Sequence, residues 1–202
     1  QRERPVRAGR AHWGLPQGKL LLCAFHQSYK ISAEVFDAWC SLLHDLPDAC
    51  LWLLEWNRNV RQALQKAAAE RGLAPDRLLF SPVLPLNQHL SRLAEADLYL
   101  DAWPCNAHTT ASEALWVGVP VVSLRGRTFA QRVAASILGA VGLPELACAD
   151  ASGYRETVLA LANDAPRRMQ LREHLAAQAG SCPLFQGAAF MRELEGLYQR
   201  MW

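Results

Sequence analysis

Short apolar runs alternate along this chain with stretches in which apolar residues recur every three or four positions. The runs at 19–25, 51–55, 77–81, 97–101 and 120–124 predict strands, and the helical spacing between them predicts helices near 32–46, 59–71, 86–94, 109–117 and 129–141. Five strands separated by helices of ordinary length predict an α/β fold, a Rossmann-like parallel sheet with helices on both faces. Right-handed crossovers then bring every strand-to-helix loop to one edge of the sheet, where open α/β sheets bind ligands.

Beyond Leu143 the pattern predicts no further strand, only helices near 151–161, 167–179 and 188–201. The last carries Phe190, Leu194, Leu197, Tyr198 and Met201 at helical spacing with charged residues between them, so its apolar stripe calls for a partner surface. In isolation this helix is expected to pack on its own lobe or a neighbouring copy, or to fray. Residues 1–15 hold Arg2, Arg4, Arg7 and Arg10 with no apolar period and are read as a solvated linker entering a single domain over 16–202. No internal repeat or low-complexity tract interrupts the pattern.

Composition narrows the function classes. The chain has 202 residues, 51% of them hydrophobic, and a formal net charge of only +2, which indicates neither disorder nor a nucleic-acid coat. No apolar run is long enough for a membrane span, and no signal-peptide pattern opens the chain. The six cysteines, Cys23, Cys40, Cys50, Cys105, Cys148 and Cys182, form no C-x-x-C pair, so the expectation is reduced thiols in a cytoplasmic protein.

The richest segment runs from Asn106 through His108, Thr109, Thr110 and Glu113 to Gly118 and Pro120. His108, Thr109 and Thr110 fall where the first helical N–H groups are unpaired, so an anion docking there meets amides, hydroxyls and an imidazole together. Glu113 lies one turn on, within reach of whatever the anion is attached to. This is read as a loop holding the diphosphate of a nucleotide sugar. After the first strand, Gln27 can hydrogen-bond in both directions and Lys30 supplies a point charge suited to phosphate; standing alone, they would read as an ordinary solvated loop. After the third strand, two prolines stiffen the segment around Leu84. His89 and Arg92 follow on one helix face, where a nucleobase could rest on either while its edge bonds the backbone near Leu84.

Phosphate-binding P-loop and dinucleotide glycine motifs are absent, as are H-E-x-x-H and a Ser-His-Asp order. Asp97 and Asp101 bracket a strand and read as structural flanks rather than metal ligands. A site with lysine, histidine and helix-terminus donors but no metal ligands would neutralise a departing diphosphate by fixed protein charge.

Several segments together resemble the C-terminal catalytic lobe of the O-linked N-acetylglucosamine transferases, the SPINDLY-type group of glycosyltransferase family 41, and of its bacterial members in particular. They are H-Q-S-Y-K-I from His26, S-P-V-L-P with His89 and Arg92 after it, C-N-A-H-T-T-A-S-E-A-L-W-V-G-V-P from Cys105, R-V-A-A-S from Arg132, S-C-P-L-F from Ser181 and the closing L-Y-Q-R-M-W. The resemblance runs from about Gly14 to Trp202.

It implies one lobe of a GT-B enzyme, the one that mainly holds the sugar nucleotide, and a metal-independent, inverting transfer of GlcNAc from UDP-GlcNAc to serine or threonine hydroxyls of proteins. No cofactor or metal is implied. Carried over by position, Gln27 and Lys30 would contact the diphosphate, with Lys30 easing the exit of UDP. The backbone at Leu84 would read uracil with His89 and Arg92 around the base. His108, Thr109 and Thr110 would bind phosphates, and Glu113 the ribose. His26 departs from the family's asparagine, Glu113 from its aspartate, and Leu86 from the lysine of animal members. The family's N-terminal lobe and helical repeats supply acceptor contacts and proton-accepting groups, and the final helix crosses back to that lobe. A chain without them is expected not to turn over alone. UDP-glucose transfer, UDP-GlcNAc epimerisation and a non-catalytic nucleotide-sugar-binding module are the alternatives; neither nucleic acid nor membrane is expected as a partner.

Overall fold

The structure, a computed structural model, describes residues 4–202. Six parallel strands form one sheet in the order β3-β2-β1-β4-β5-β6: β1 (Leu20–Ala24), β2 (Ala49–Glu55), β3 (Leu78–Pro82), β4 (Leu98–Leu100), β5 (Val121–Leu124) and β6 (Ala147–Cys148). Strands covered on both faces read as unbroken apolar runs, which is why the first five were visible. Leu21–Ala24, Ala49–Leu54 and Leu98–Leu100 are buried throughout. Strand order reverses between β1 and β4, where Leu22 pairs with Leu98 and Cys23 with Tyr99.

Right-handed crossovers put α1 (Ala33–Asp45) and α2 (Arg58–Glu70) on one face and α3 (Leu86–Leu93), α4 (Thr109–Trp116) and α5 (Val133–Ala140) on the other. Then α6 (Ala151–Asn163) returns across β5 and β6 to pack on α1, and α7 (Ala165–Gln178) packs on α6 and α4. The helix starts follow local chemistry. Ser32, Asn57, Asp150 and Asp164 accept the N–H of Val35, Val60, Gly153 and Arg167 at the heads of α1, α2, α6 and α7. Gly118, at φ 84°, turns the end of α4 straight into β5, a backbone conformation that a side chain would strain.

Four expectations are corrected. The strands do not stop at Leu143: β6 pairs Ala147 with Ser123 and Cys148 with Leu124. Two residues are too few to carry a period.

The amino-terminal segment is not a solvated linker over its described part. Arg10–Trp13 form a 3-10 turn, and Arg10 donates to Lys19 O at 2.8 Å and to Asp97 at 2.7 Å. Arg7 reaches Glu95 at 3.2 Å and Arg4 the carbonyl of Leu175 at 3.1 Å; Arg2 lies outside the described residues. Arg7 and Arg10 neutralise a buried Glu95 and the half-covered Asp97 beside β4.

Helix α5 starts at Val133, four residues later than its apolar pattern. Finally, α8 (Gly187–Met201) is an ordered helix with no buried residue, its Phe190, Leu197, Tyr198 and Met201 exposed. Of the stripe only Leu194 is half-buried, so α8 does not pack that face on the described residues of this lobe.

Candidate functional site

The carboxyl ends of β1, β3 and β4 open onto one cavity of about 430 Å³ at the reversal of strand order. Of the residues singled out in the sequence, Gln27, Lys30, Leu84, His89, Arg92, His108, Thr109 and Thr110 all line it.

Lys30 ends a short turn over Ser28–Lys30 whose backbone is closed by Lys30 N–H to Gln27 O. From there its Nζ crosses the reversal point and donates to the carbonyl of Asn106 at 2.7 Å. The two loops that the sequence paired by chemistry therefore meet physically. Two residues on, His108 caps α4 without a side-chain hydrogen bond, and the first backbone bond of the helix runs from Ser112 N–H to His108 O. Among the described residues, the N–H groups of Thr109, Thr110 and Ala111 have no hydrogen-bond partner. Three consecutive amides at a helix start, a lysine and two hydroxyl residues on one wall form an anion site.

What holds this loop is Asp101, wholly buried at the end of β4. Its Oδ1 accepts the N–H of Ala102 at 2.8 Å and of Ala107 at 2.6 Å, and its Oδ2 accepts the Ser123 hydroxyl at 2.5 Å. Burial raises its pKa to about 7 against those donors, which favour the ionised form. Asp97 likewise accepts from Arg10 and from Leu21 N–H. Both aspartates are structural flanks, as expected; among the described residues no cluster of His, Cys, Asp and Glu could hold a metal ion.

Two residues take up positions that the sequence reading did not foresee. Arg92 is 1% exposed, its guanidinium lying 5.0 Å over the Phe25 ring and donating to the carbonyl of Pro82 at 2.5 Å. Burial lowers its pKa to about 10. With one face on Phe25, it braces the Pro82–Leu84 segment and is not an open platform for a base. Among the described residues the backbone of Leu84, held next to this brace, makes no hydrogen bond.

Glu113 is buried and does not line the cavity; its carboxylate sits 3.5 Å from His89 Nε2. Arg92 approaches His89 Nδ1 at 3.4 Å, so the chain Pro82–Arg92–His89–Glu113 fixes the imidazole, Nδ1 accepting and Nε2–H facing the carboxylate.

His26 turns inward instead of toward the cavity mouth. It is 2% exposed, stacked on Trp39 at 5.9 Å, with Nε2 at 2.8 Å from Leu100 O. Burial, outweighing that bond and aided by Lys30, lowers its pKa to about 4, so the ring is neutral and Nε2–H donates. A histidine with a depressed pKa supports the fold above its unfolded value of about 6.5 and loses that support as pH falls towards 4. Asp101 acts oppositely, its support fading as pH rises towards 7. The stability advantage of wild type over His26→Asn is therefore expected to shrink by about 2 kcal/mol between pH 7.5 and 5.0, measured by chemical denaturation at both pH values. A pH-independent difference would show that His26 is not a buried neutral ring. His108 is also pushed towards the neutral form, by burial first and by Lys30 second.

The cavity also contains residues to which the sequence reading gave no role: Phe25, Tyr29, Leu54, Trp56 and Val83. Trp56 follows directly on β2 and donates to His26 O at 2.7 Å. Its place just beyond a strand's carboxyl end was the available signal.

The chain matches the sequence profile of glycosyl transferase family 41 over residues 2–194. It is 34% identical over 194 residues to an Arabidopsis thaliana protein named probable UDP-N-acetylglucosamine--peptide N-acetylglucosaminyltransferase SEC, covering 96% of this chain and 20% of that protein. A Caenorhabditis elegans UDP-N-acetylglucosamine--peptide N-acetylglucosaminyltransferase is 35% identical over 193 residues, covering 96% of this chain and 17% of that protein. Among solved structures, a mutant Thermobaculum terrenum O-GlcNAc transferase superposes with a TM-score of 0.87 at 34% identity, over 92% of this chain and 36% of that one. WaaG, a glycosyltransferase of lipopolysaccharide biosynthesis, shares the fold at a TM-score of 0.67 and 18% identity, over 88% of this chain and 47% of that one. The chain thus spans about a fifth of the length of the curated relatives it matches.

Proposed function

The chain belongs to glycosyltransferase family 41, and we propose that it is the sugar-nucleotide-binding lobe of a metal-independent, inverting UDP-GlcNAc:protein O-GlcNAc transferase. The observation that carries this reading is the convergence of Lys30 Nζ, at 2.7 Å from Asn106 O, with the unpaired amides of Thr109, Thr110 and Ala111 on one cavity wall. The diphosphate of UDP sits against those amides and the Thr109 hydroxyl, with Gln27 and His108 beside it, while the Thr110 hydroxyl is bonded to Tyr99. Lys30 offsets the negative charge that grows on the β-phosphate as the glycosidic bond breaks, which is fixed-charge stabilisation of a leaving group. Uracil bonds the backbone at Leu84 and packs near His89. Arg92 contributes by bracing Pro82, and Glu113 orients His89 next to the ribose.

Contacts to the serine or threonine acceptor, and the group that takes its proton, are left to the family's N-terminal lobe and helical repeats. The bare stripe of α8 supports a surface of that lobe as its cover. Six unpaired cysteines, five of them buried, support a cytoplasmic protein, and Leu86, where animal members carry lysine, supports a branch other than the animal one. No helix of the described residues is long and apolar enough to cross a membrane.

Titrating UDP, UDP-GlcNAc and UDP-glucose calorimetrically into the chain tests this reading, with and without excess EDTA. Binding in the micromolar to millimolar range is expected, unchanged by the chelator and better for UDP-GlcNAc than UDP-glucose. No heat and no rise in melting temperature with UDP would refute the donor site. Adding a family N-terminal lobe should then restore transfer to a protein acceptor.

A further inference from the structure

The loop between β5 and α5 has no part in the donor site, yet its shape is fixed by an unusual number of bonds for an exposed segment. Gln131 folds back under it: its Oε1 accepts the N–H of Arg127 at 3.0 Å, the N–H of Thr128 at 3.1 Å and the Thr128 hydroxyl at 3.2 Å, while its carbonyl accepts Gly126 N–H at 2.9 Å. A Cβ at Gly126 would stand 2.6 Å from Gln131 Cβ, so only glycine allows this closure. Asn106 ties the loop to the donor site, its N–H donating to Ala130 O at 2.9 Å while its own carbonyl receives Lys30.

The rigid loop presents cations and one ring. Arg125, Arg127 and Arg132 are exposed, none lines the donor cavity, and among the described residues none pairs with a carboxylate. Phe129 is 77% exposed and edge-on to His108, ring centroids 6.4 Å apart. Three free guanidinium groups and an exposed phenyl, held in one shape at the rim of the donor site, make a preorganised surface for an acidic chain with apolar side chains. We propose that this loop is a docking surface for an acidic segment of the polypeptide acceptor.

A polypeptide fits better than a nucleic acid. The arginines are confined to eight residues and do not continue into a basic track, Asp150 follows close behind on the β6 side, and the whole chain carries only +2. The proposal rests on the transferase reading, because that reading supplies a protein that must approach this edge.

The test uses the 202-residue chain and three fluorescent probes: a serine-containing peptide with four glutamates, the same peptide with four lysines, and a single-stranded oligonucleotide of equal length. The acidic peptide should bind at least about tenfold more tightly than the basic one and weaken with added salt. The triple variant R125E/R127E/R132E should reverse that preference and leave UDP affinity unchanged, and Phe129→Ala should weaken the acidic peptide alone. Equal binding of the two peptides, an unaltered preference in the triple variant, or tighter binding of the oligonucleotide would overturn the docking surface. UDP titrated into the same samples separates the two ideas: heat with UDP but no preference for the acidic peptide overturns this surface alone, whereas no heat with UDP overturns the donor site.

Discussion

Replacing Lys30 by alanine is expected to weaken UDP by about ten- to a hundredfold while changing the affinity for uridine by less than about threefold. A charge-assisted hydrogen bond to an anion contributes roughly 1.5–3 kcal/mol, and the lost group touches only the phosphate part of the ligand. The contrast matters more than the size. Lys30 Nζ faces the Asn106 carbonyl across the sheet's reversal point, so its removal unties two loops as well as deleting a charge. If untying were the main effect, uridine would suffer equally, because Leu84 and His89 share the same cavity. Calorimetric titration of UDP, UMP and uridine into both proteins decides it, and equal losses for all three would remove Lys30 from phosphate binding. Arginine should rescue only part of the loss: its planar fork does not reproduce a compact ammonium reaching a single carbonyl.

The larger effect on the fold is expected from Asp101→Ala, about 3–5 kcal/mol of destabilisation, or a fall in melting temperature of roughly 10 °C. The variant leaves the N–H groups of Ala102 and Ala107 and the Ser123 hydroxyl without an acceptor in a site sealed from water. The Tyr154 hydroxyl donates to the Asp101 carbonyl and accepts from Trp39, so the disturbance reaches the packing of α6 on α1. Asp101→Asn should be milder, about 1–2 kcal/mol, because its amide oxygen still accepts both N–H groups and the Ser123 hydroxyl can turn to accept. UDP affinity should fall with Asp101→Ala, since Ala107 leads into the His108–Thr110 wall. Denaturant titrations of the three proteins check the order; a near-wild-type Asp101→Ala would mean that water replaces the carboxylate.

The sheet was legible because a parallel strand covered on both faces must be apolar from end to end, and β1, β2, β4 and β5 have little else. The site was legible through loop order: residues after successive strands share one edge whatever lies between them. Direction was not legible. Spacing puts His89 and Arg92 on one face of α3, but whether Arg92 turns outward to a ligand or inward over Phe25 depends on an acceptor, Pro82 O, that sequence does not mark. Glu113 met the same difficulty, since its partner His89 lies on a different helix. The start of α5 was misplaced because residues 129–132 have helical apolar spacing. A single contact, Gln131 folding under Gly126, converts them into a loop. The amino-terminal arginines carry no period at all, and only the buried Glu95 and the position of Asp97 explain where they go.

Because Phe190, Leu197, Tyr198 and Met201 stand exposed along α8, they contribute almost nothing to whether this chain folds. Changes there would pass unnoticed in every thermal or denaturant measurement made on these 202 residues. Their worth lies in assembly, so foldedness and fitness part company along that one helix, and a catalogue of tolerated substitutions gathered from the lobe alone would misjudge it.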